Sequence, residues 1–556
     1  MFRPFTHSYT QAILLGLLLL MGNLGYASEV TFVTDGVASH VAFVGDDWQT
    51  VDGALVGSGE GNFLEATEQL GPGDFTVQLR LSISRLRRSA ASFEINGSRL
   101  GFEGGSGEMF TEGDLLGRQS LGKPVIAADE PFTLVASRRD DTLRIEVGDQ
   151  TVVTANLPSS STVKVGLRPW RSTMWVAQFT ASGHLIPAPK PLPHVAVFTT
   201  GEGGYHTYRI PAIVVTKKGT LLAFCEGRRE GRGDAGDIDM LVSRSTDLGQ
   251  TWSEPIVVWN DAQNTCGNPA PVVDQQTGVI WLPMTWNLGS DHEREIMAGK
   301  SQDARHVYVT HSADDGLTWA EPTRISDTVR RAHWRWYATG PGNAIQLTRG
   351  DHQGRLVIPA NHSDHSDDAT HPYRSHVFWS DDHGETWQLG GIHDDRTNES
   401  AVVELSDGSI LQAMRSYHGT NRRAMAISTD GGATWGKQYL DEALDTPVCQ
   451  ANILRYSWPE DATHGKQSRI LFSSPRGPDR SHLTIWLSYD EGKTWPVRKE
   501  IHAGGSAYSN LVALPDQRIG VLYEKDGYRT ISLATFELAW LENDSAGPNR
   551  RSQSPR

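Results

Sequence analysis

The stretch RSTDLGQTW, Arg244 to Trp252, holds Ser245, Asp247, Gly249, Thr251 and Trp252 in an order that the chain repeats. It returns as SADDGLTW from Ser312 to Trp319, SDDHGETW from Ser380 to Trp387, STDGGATW from Ser428 to Trp435 and SYDEGKTW from Ser488 to Trp495. In each box the aspartate can accept backbone N–H bonds within a tight turn, the glycine can take positive φ, and the tryptophan offers a large ring to a neighbouring sheet. These are folding roles, and like turns on separate repeats cannot converge on one ligand. Successive boxes start 67, 68, 48 and 60 residues apart, enough for a four-stranded sheet with generous loops. About 350 residues at roughly 60 per repeat give about six blades of a β-propeller. The sixth blade, which lacks a box, is expected to combine the final strands with the first one, near Val195 to Thr199, and so close the ring.

Upstream of the repeats the text changes. From residue 28 to 183 it consists of short alternating runs such as FTVQLRLSI (Phe75 to Ile83) and LRIEV (Leu143 to Val147) between Gly, Asp and Asn turns. Period-two alternation at this spacing predicts a β-sandwich. The fold class is therefore all-β, a sandwich of jelly-roll or lectin-like type followed by a propeller over 195–541. Between them, IPAPKPLP within 184–194 reads as a stiff proline-rich linker. The final residues, 542–556, are polar and read as a disordered tail. At the other end, Arg3, the apolar run AILLGLLLLM (Ala12 to Met21) and small residues around Ala27 read as a signal peptide over 1–27. Export to the periplasm, cell surface or medium is the expectation, without stable membrane insertion once the signal is cleaved.

The 556 residues carry a formal net charge of −15, which argues against nucleic acid or an anionic membrane as the partner and requires a local basic pocket for any acidic substrate. Cys225, Cys266 and Cys449 are an odd number for an exported chain; one disulfide or three buried thiols both fit, and their spacing matches no metal site.

The boxes together with YRIP, Tyr208 to Pro211, resemble the sialidases, or neuraminidases, whose catalytic domain is a six-bladed propeller. Sialic acid bears a carboxylate on its anomeric carbon, so its recognition calls for converging guanidinium groups. The resemblance assigns this role to Arg209, to Arg415 in LQAMRS and to Arg480 in PRGPDRSHLTI, with Arg476 as a competitor; Arg228 in FCEGRR matches a further pocket arginine. A neutral tyrosine approaches that carbon without like-charge repulsion, and Tyr508 in GSAYSNL matches the family's nucleophile, with Glu399 in NES as its base. Asp234 in GRGDAGDID matches the acid/base aspartate, Asp237 and Asp239 remaining alternatives. Glu524 in VLYE matches the glutamate that orients the first arginine, and Glu226 serves similarly. No cofactor and no metal are implied. The resemblance implies a retaining exo-sialidase acting on sialylated glycans, glycoproteins or glycolipids. Two rivals stay open: a trans-sialidase or related nonulosonic-acid hydrolase, and a noncatalytic propeller that binds glycans or proteins. For the sandwich, carbohydrate binding and bracing of the propeller are equally open. The WRWY run at Trp334 to Tyr337 and the histidines from His362 to His376 are given no role.

Overall fold

The computed structural model describes residues 28–45, 48–187, 192–364 and 373–542. The residues read as a signal peptide, most of the tail and part of the linker lie outside this set. The chain divides into two compact units, residues 1–190 and 191–556.

In the first unit a nine-stranded and a seven-stranded sheet face each other. The alternation read in Phe75–Ile83 is real: Phe75, Val77, Leu79, Leu81 and Ile83 are buried, while Gln78 and Arg80 are exposed. That strand is central, flanked by Phe132–Arg139 and Thr173–Gly183. The apolar faces close over a core that includes Phe32, Phe93, Phe102 and Phe179, the arrangement that buries one face of each sheet. The strand Leu185–Pro187 pairs with Glu68–Leu70. The first residues of the expected linker are thus sheet, with Pro187 at the end of a strand that pairs on one side only.

The second unit is a propeller of six blades. Blades 1 and 2 form one nine-stranded sheet, blades 3 and 4 are separate, and blades 5 and 6 share the long strand Val497–Ala513. Its first half pairs with Ser481–Ser488 and its second half with Ile519–Lys525. Ring closure follows the expectation: His194–Thr199 is the fourth strand of blade 6, antiparallel to Thr530–Phe536. This also explains the missing sixth box. Each box occupies the turn from the third to the fourth strand, and in blade 6 those two strands come from opposite ends of the unit.

All five boxes are built alike. In the first, Ser245 Oγ bonds Asp247 Oδ1 at 2.8 Å and accepts from the Gly249 N–H at 2.9 Å; Asp247 then accepts from the Thr251 N–H at 2.9 Å and hydroxyl at 2.6 Å. The same four bonds occur around Asp314, Asp382, Asp430 and Asp490. The box glycines have φ between 79° and 95°, and each packs on the preceding blade. A Cβ on Gly316 would lie 2.8 Å from Leu222, one on Gly432 3.0 Å from Val377 and one on Gly492 2.8 Å from Leu411, while Gly249 meets Leu533 and Gly384 meets Trp281. Glycine is required twice over, for its backbone angle and for the close approach. Of the tryptophans, Trp387 and Trp495 are buried and the other three partly so.

Candidate active site

Blade topology decides where side chains can meet. An inner strand starts at one end of the ring, the second strand returns there, and the third leaves from it again, so that end collects the starts of first strands, the ends of second strands and the loops that follow them. Arg209 lies near the start of Thr207–Val215 and Glu399 near the start of Thr397–Glu404. Arg228, Arg415 and Glu524 lie at or near the ends of second strands. Asp234 follows in the loop after Arg228, and Arg480 immediately precedes the third strand Ser481–Ser488. The boxes close third strands and therefore sit at the opposite end. One rule of connectivity separates the folding motif from the candidate chemistry.

Arg209 is aimed by a bulge. The pairing of Thr207–Val215 with Leu221–Arg228 shifts between Arg209 and Ala212, and Ile210 has φ +63°. A β-branched residue there costs about 1–3 kcal/mol. What holds it is Glu524: Oε1 accepts from Arg209 Nε at 2.6 Å and from the Ile210 N–H at 2.9 Å, and Oε2 accepts from the Tyr508 N–H at 3.0 Å. One carboxylate thus fixes two site strands.

Tyr508 is buried, and its hydroxyl donates a short bond to Glu399 Oε1. Arg415 Nη1 donates to Glu399 Oε2 at 2.7 Å and to the Tyr508 hydroxyl at 3.3 Å. The guanidinium carbons of Arg209 and Arg480 each stand 5.5 Å from the centre of the Tyr508 ring. Burial pushes the phenol well above its ordinary pKa and Glu399 adds to this, while Arg415 and Arg480 pull it down. The resting phenol therefore keeps its proton, with its acceptor already in place. Arg209 is paired with Glu524 and Arg415 with Glu399. Among the described residues Arg480 has no carboxylate partner; it bonds the Tyr528 hydroxyl at 3.1 Å and the Val448 carbonyl at 3.4 Å. The cluster is therefore left with positive charge available to an anionic ligand.

Arg228 is buried between two carboxylates: Glu226 Oε2 at 2.6 Å and Asp234 Oδ1 at 2.7 Å. The Asp234 side chain is 67% exposed. Its partial burial favours the neutral acid, but Arg228 and then Arg209 outweigh this and hold its pKa below the usual carboxylate range. A raised pKa is what a proton donor needs, so Asp234 must leave Arg228 to act as one. The alternatives are occupied elsewhere. Asp239 is buried, taking bonds from Tyr205, Arg229 and Asn260; Asp237 pairs with Arg229; Arg476 pairs with Asp445.

Several site residues escaped the sequence reading. Tyr528 lies 4.1 Å from the Arg209 guanidinium carbon and bonds Arg480. Arg305, fully buried over the Trp336 ring at 4.0 Å, donates to Asn268 Oδ1, and the Asn268 N–H donates to Glu226 Oε1 at 2.9 Å. Glu293 accepts from the Tyr373 hydroxyl at 2.7 Å, and burial raises its pKa. Tyr528 falls in the turn between Ile519–Lys525 and Thr530–Phe536 with only the bland text KDGY around it, so proximity to the tyrosine motif was the one available signal. Of the unassigned aromatics and histidines, Trp334, Trp336, Tyr337, His362 and His376 are core, while His365 and His371 lie outside the described residues: Trp334 stacks on His362 with ring centres 3.4 Å apart, and His376 bonds His362 and Tyr337. Burial lowers the His376 pKa to about 3. All three cysteines are buried and free. Among the described residues no group of three or more His, Cys, Asp or Glu side chains is arranged to hold a metal, and no helix is long and apolar enough to cross a membrane.

Residues 219–521 match the BNR repeat-like domain. The chain is 34% identical over 404 residues to a sialidase of Micromonospora viridifaciens, covering 69% of this chain and 61% of that one. It is 30% identical over 382 residues to an exo-alpha-sialidase of Aspergillus fumigatus, covering 62% of this chain and 87% of that one. Among solved structures, the Hadza microbial sialidase Hz136 superimposes with a TM-score of 0.57 at 24% identity, over 85% of this chain and 96% of that chain; at that identity the likeness speaks for the fold. The repeat-like domain fills more than half of the sequence, and almost the whole fungal relative is matched at 30% identity: this chain belongs to the sialidase family.

Proposed function

We propose that the protein is an exported exo-sialidase that hydrolyses terminal sialic acid from glycoconjugates with retention of configuration. The observation that carries this is a phenol bonded to a carboxylate inside a group of arginines, one of which has no counter-ion among the described residues: Tyr508 on Glu399, among Arg209, Arg415 and Arg480. The arginines would take the substrate carboxylate by charge-assisted bonds. As the glycosidic bond lengthens, Tyr508 gives its proton to Glu399 and attacks the anomeric carbon, while Asp234, released from Arg228 and protonated, supplies the leaving oxygen with a proton. Water deprotonated by Asp234 then opens the glycosyl-tyrosine from the same face. A carboxylate nucleophile would meet the substrate carboxylate as a like charge; the phenol does not. Arg209, Arg228, Arg415 and Arg480 bind, Glu226 and Glu524 orient, and the chemistry needs no cofactor.

The test is turnover of an aryl sialoside by wild type and Tyr508→Phe, with mass spectrometry of the adduct formed by a fluorinated sialoside. The expected result is an adduct on the peptide containing Tyr508 and a loss of at least about 10³-fold in kcat for the Phe variant. Binding of sialosides without release at any pH would refute the proposal in favour of a lectin-like propeller. Adding an acceptor sugar separates hydrolysis from transfer.

A further inference from the structure

Beneath the pair formed by Tyr508 and Glu399 lies a cation that the proposed mechanism leaves unused. Arg423, in Arg422–Ser428, is fully buried. Among the described residues it forms no ion pair with a carboxylate. Its Nη1 donates to the Cys449 carbonyl at 2.8 Å; its Nη2 makes only long contacts to the carbonyls of Ala413, at 3.4 Å, and Glu399, at 3.5 Å; its Nε has no partner.

The sandwich unit supplies an internal comparison. Arg138 is also fully buried and has no carboxylate partner among the described residues, but all its nitrogens are engaged, donating to the carbonyls of Gly71, Gly73, Pro158 and Ser161 at 2.7 to 3.0 Å. That is a staple, and its hydrogen bonds account for its burial. Arg423 makes one good bond. Burying a cation costs several kcal/mol unless charge or hydrogen bonds offset it, so the compensation must come from elsewhere. The anionic and ionisable groups facing it are Cys449, Glu399 and Tyr508, with Arg415 as an opposing cation, and the Phe472 ring lies 5.8 Å away. Cys449 packs with Tyr508 in one apolar cluster. Burial still lowers the Arg423 pKa to about 9, which leaves it charged at neutral pH.

We infer that Arg423 is a positioning residue for the proposed nucleophile: its charge favours the singly negative Tyr508–Glu399 pair over the neutral, doubly protonated one, and its hydrogen bond to the Cys449 carbonyl steadies the backbone beside that pair. The inference rests on the reading of Tyr508 as nucleophile and Glu399 as base. It has a signed consequence. Removing the charge makes the pair easier to protonate, so the acid limb of the rate profile moves to higher pH. A residue that merely filled space would change stability without moving that limb.

The experiment records kcat/KM for an aryl sialoside from pH 3 to 9 for wild type, Arg423→Met and Arg423→Lys, with thermal melting of each and the fluorosialoside adduct of wild type as a reference. In Arg423→Met the acid limb should rise by about 0.5–1 pH unit, with kcat reduced more than KM is changed; in Arg423→Lys the limb should stay within about 0.2 unit of wild type. An unmoved limb in a folded Met variant, or a raised one in the Lys variant, overturns the inference even though wild type still labels on Tyr508. If Arg423→Met does not fold, Arg423→Gln removes the same charge while keeping a donor near the Cys449 carbonyl, and the Lys result stands by itself. A wild type that turns over sialosides without a Tyr508 adduct overturns the reading of the site, and this inference with it.

Discussion

Glu524→Gln asks how firmly the site is held together. The Glu524 side chain has no exposed surface and accepts three bonds, two on Oε1 from Arg209 and Ile210 and one on Oε2 from Tyr508. Glutamine keeps the shape, but its NH2 must replace one oxygen. Placed at Oε1 it would face two donors; placed at Oε2 it faces one, so the amide turns that way and the Tyr508 N–H loses its acceptor. An unsatisfied buried donor costs about 1–3 kcal/mol, and removing one partner of a buried ion pair about 3–5 kcal/mol. The two overlap at one residue and do not simply add, so about 3–5 kcal/mol is the expected loss. At about 2 °C per kcal/mol for a large domain the melting temperature should fall by about 6–10 °C. Catalysis should suffer separately, because Arg209 and Tyr508 both lose their common anchor. A fall in kcat/KM of about 10²–10³, equivalent to about 3–4 kcal/mol in the transition state, is expected. Melting curves and sialoside kinetics read both. A variant melting within 2 °C of wild type, with kcat/KM within about threefold, would show that Glu524 does not join the two strands energetically.

Arg480→Gln should lower kcat/KM for a sialoside at least about 10²-fold, whereas Arg476→Gln, already committed to Asp445, should stay within about threefold; steady-state kinetics on the two variants distinguish them. Gly316→Ala, at φ +81° and 2.8 Å from Leu222, should destabilise by about 2–4 kcal/mol, read by denaturant unfolding, with kcat of the folded fraction unchanged. Bonds from the Thr251 and Thr318 hydroxyls and N–H groups hold Asp247 and Asp314 at about 2, against an ordinary 3.8. A lowered folded-state pKa favours folding above about pH 4, and that contribution disappears as the pH falls through about 2. Exposure to solvent makes each carboxylate worth less than its full shift, so melting temperatures from pH 2 to 5 should show Asp247→Asn less acid-sensitive than wild type by a small margin. Asp234→Asn should slow an alkyl sialoside about 10²–10⁴-fold and an activated aryl sialoside far less, since an aryloxide leaves without a proton.

Much of the fold was legible because its determinants are local. A box bonds to itself within eight residues, so a box in the text implies a turn in space, and alternation along Phe75–Ile83 needs only neighbouring strands. The candidate site was legible only through the resemblance, since its bonds join residues far apart in the sequence: Arg209 to Glu524 spans 315 residues and Tyr508 to Glu399 spans 109. Spacing cannot reveal such pairs. Ile210 was illegible for another reason, because nothing in YRIP announces a positive φ on a β-branched residue; it is imposed by Glu524 from the far end of the chain. Nor does RRAMAIS, Arg422 to Ser428, tell which arginine runs inward: Arg423 is buried and Arg422 is half-buried.

The same connectivity links stability to chemistry. Glu524 and Tyr508 belong to blade 6, whose fourth strand is the first strand of the unit, so the anchor of Arg209 exists only in a closed ring. Tyr523, one residue before that anchor, bonds His194 of the closing strand at 2.8 Å. Loosening the closure should therefore release Arg209 and Tyr508 before the other blades unfold, whereas loosening a box, at the opposite end, weakens the seam between two blades and leaves the site intact. Fragments that lack the strand from His194 to Thr199 should thus lose the arginine cluster even where the boxes remain folded, because the turns are made by neighbours in sequence and the site by neighbours across the ring.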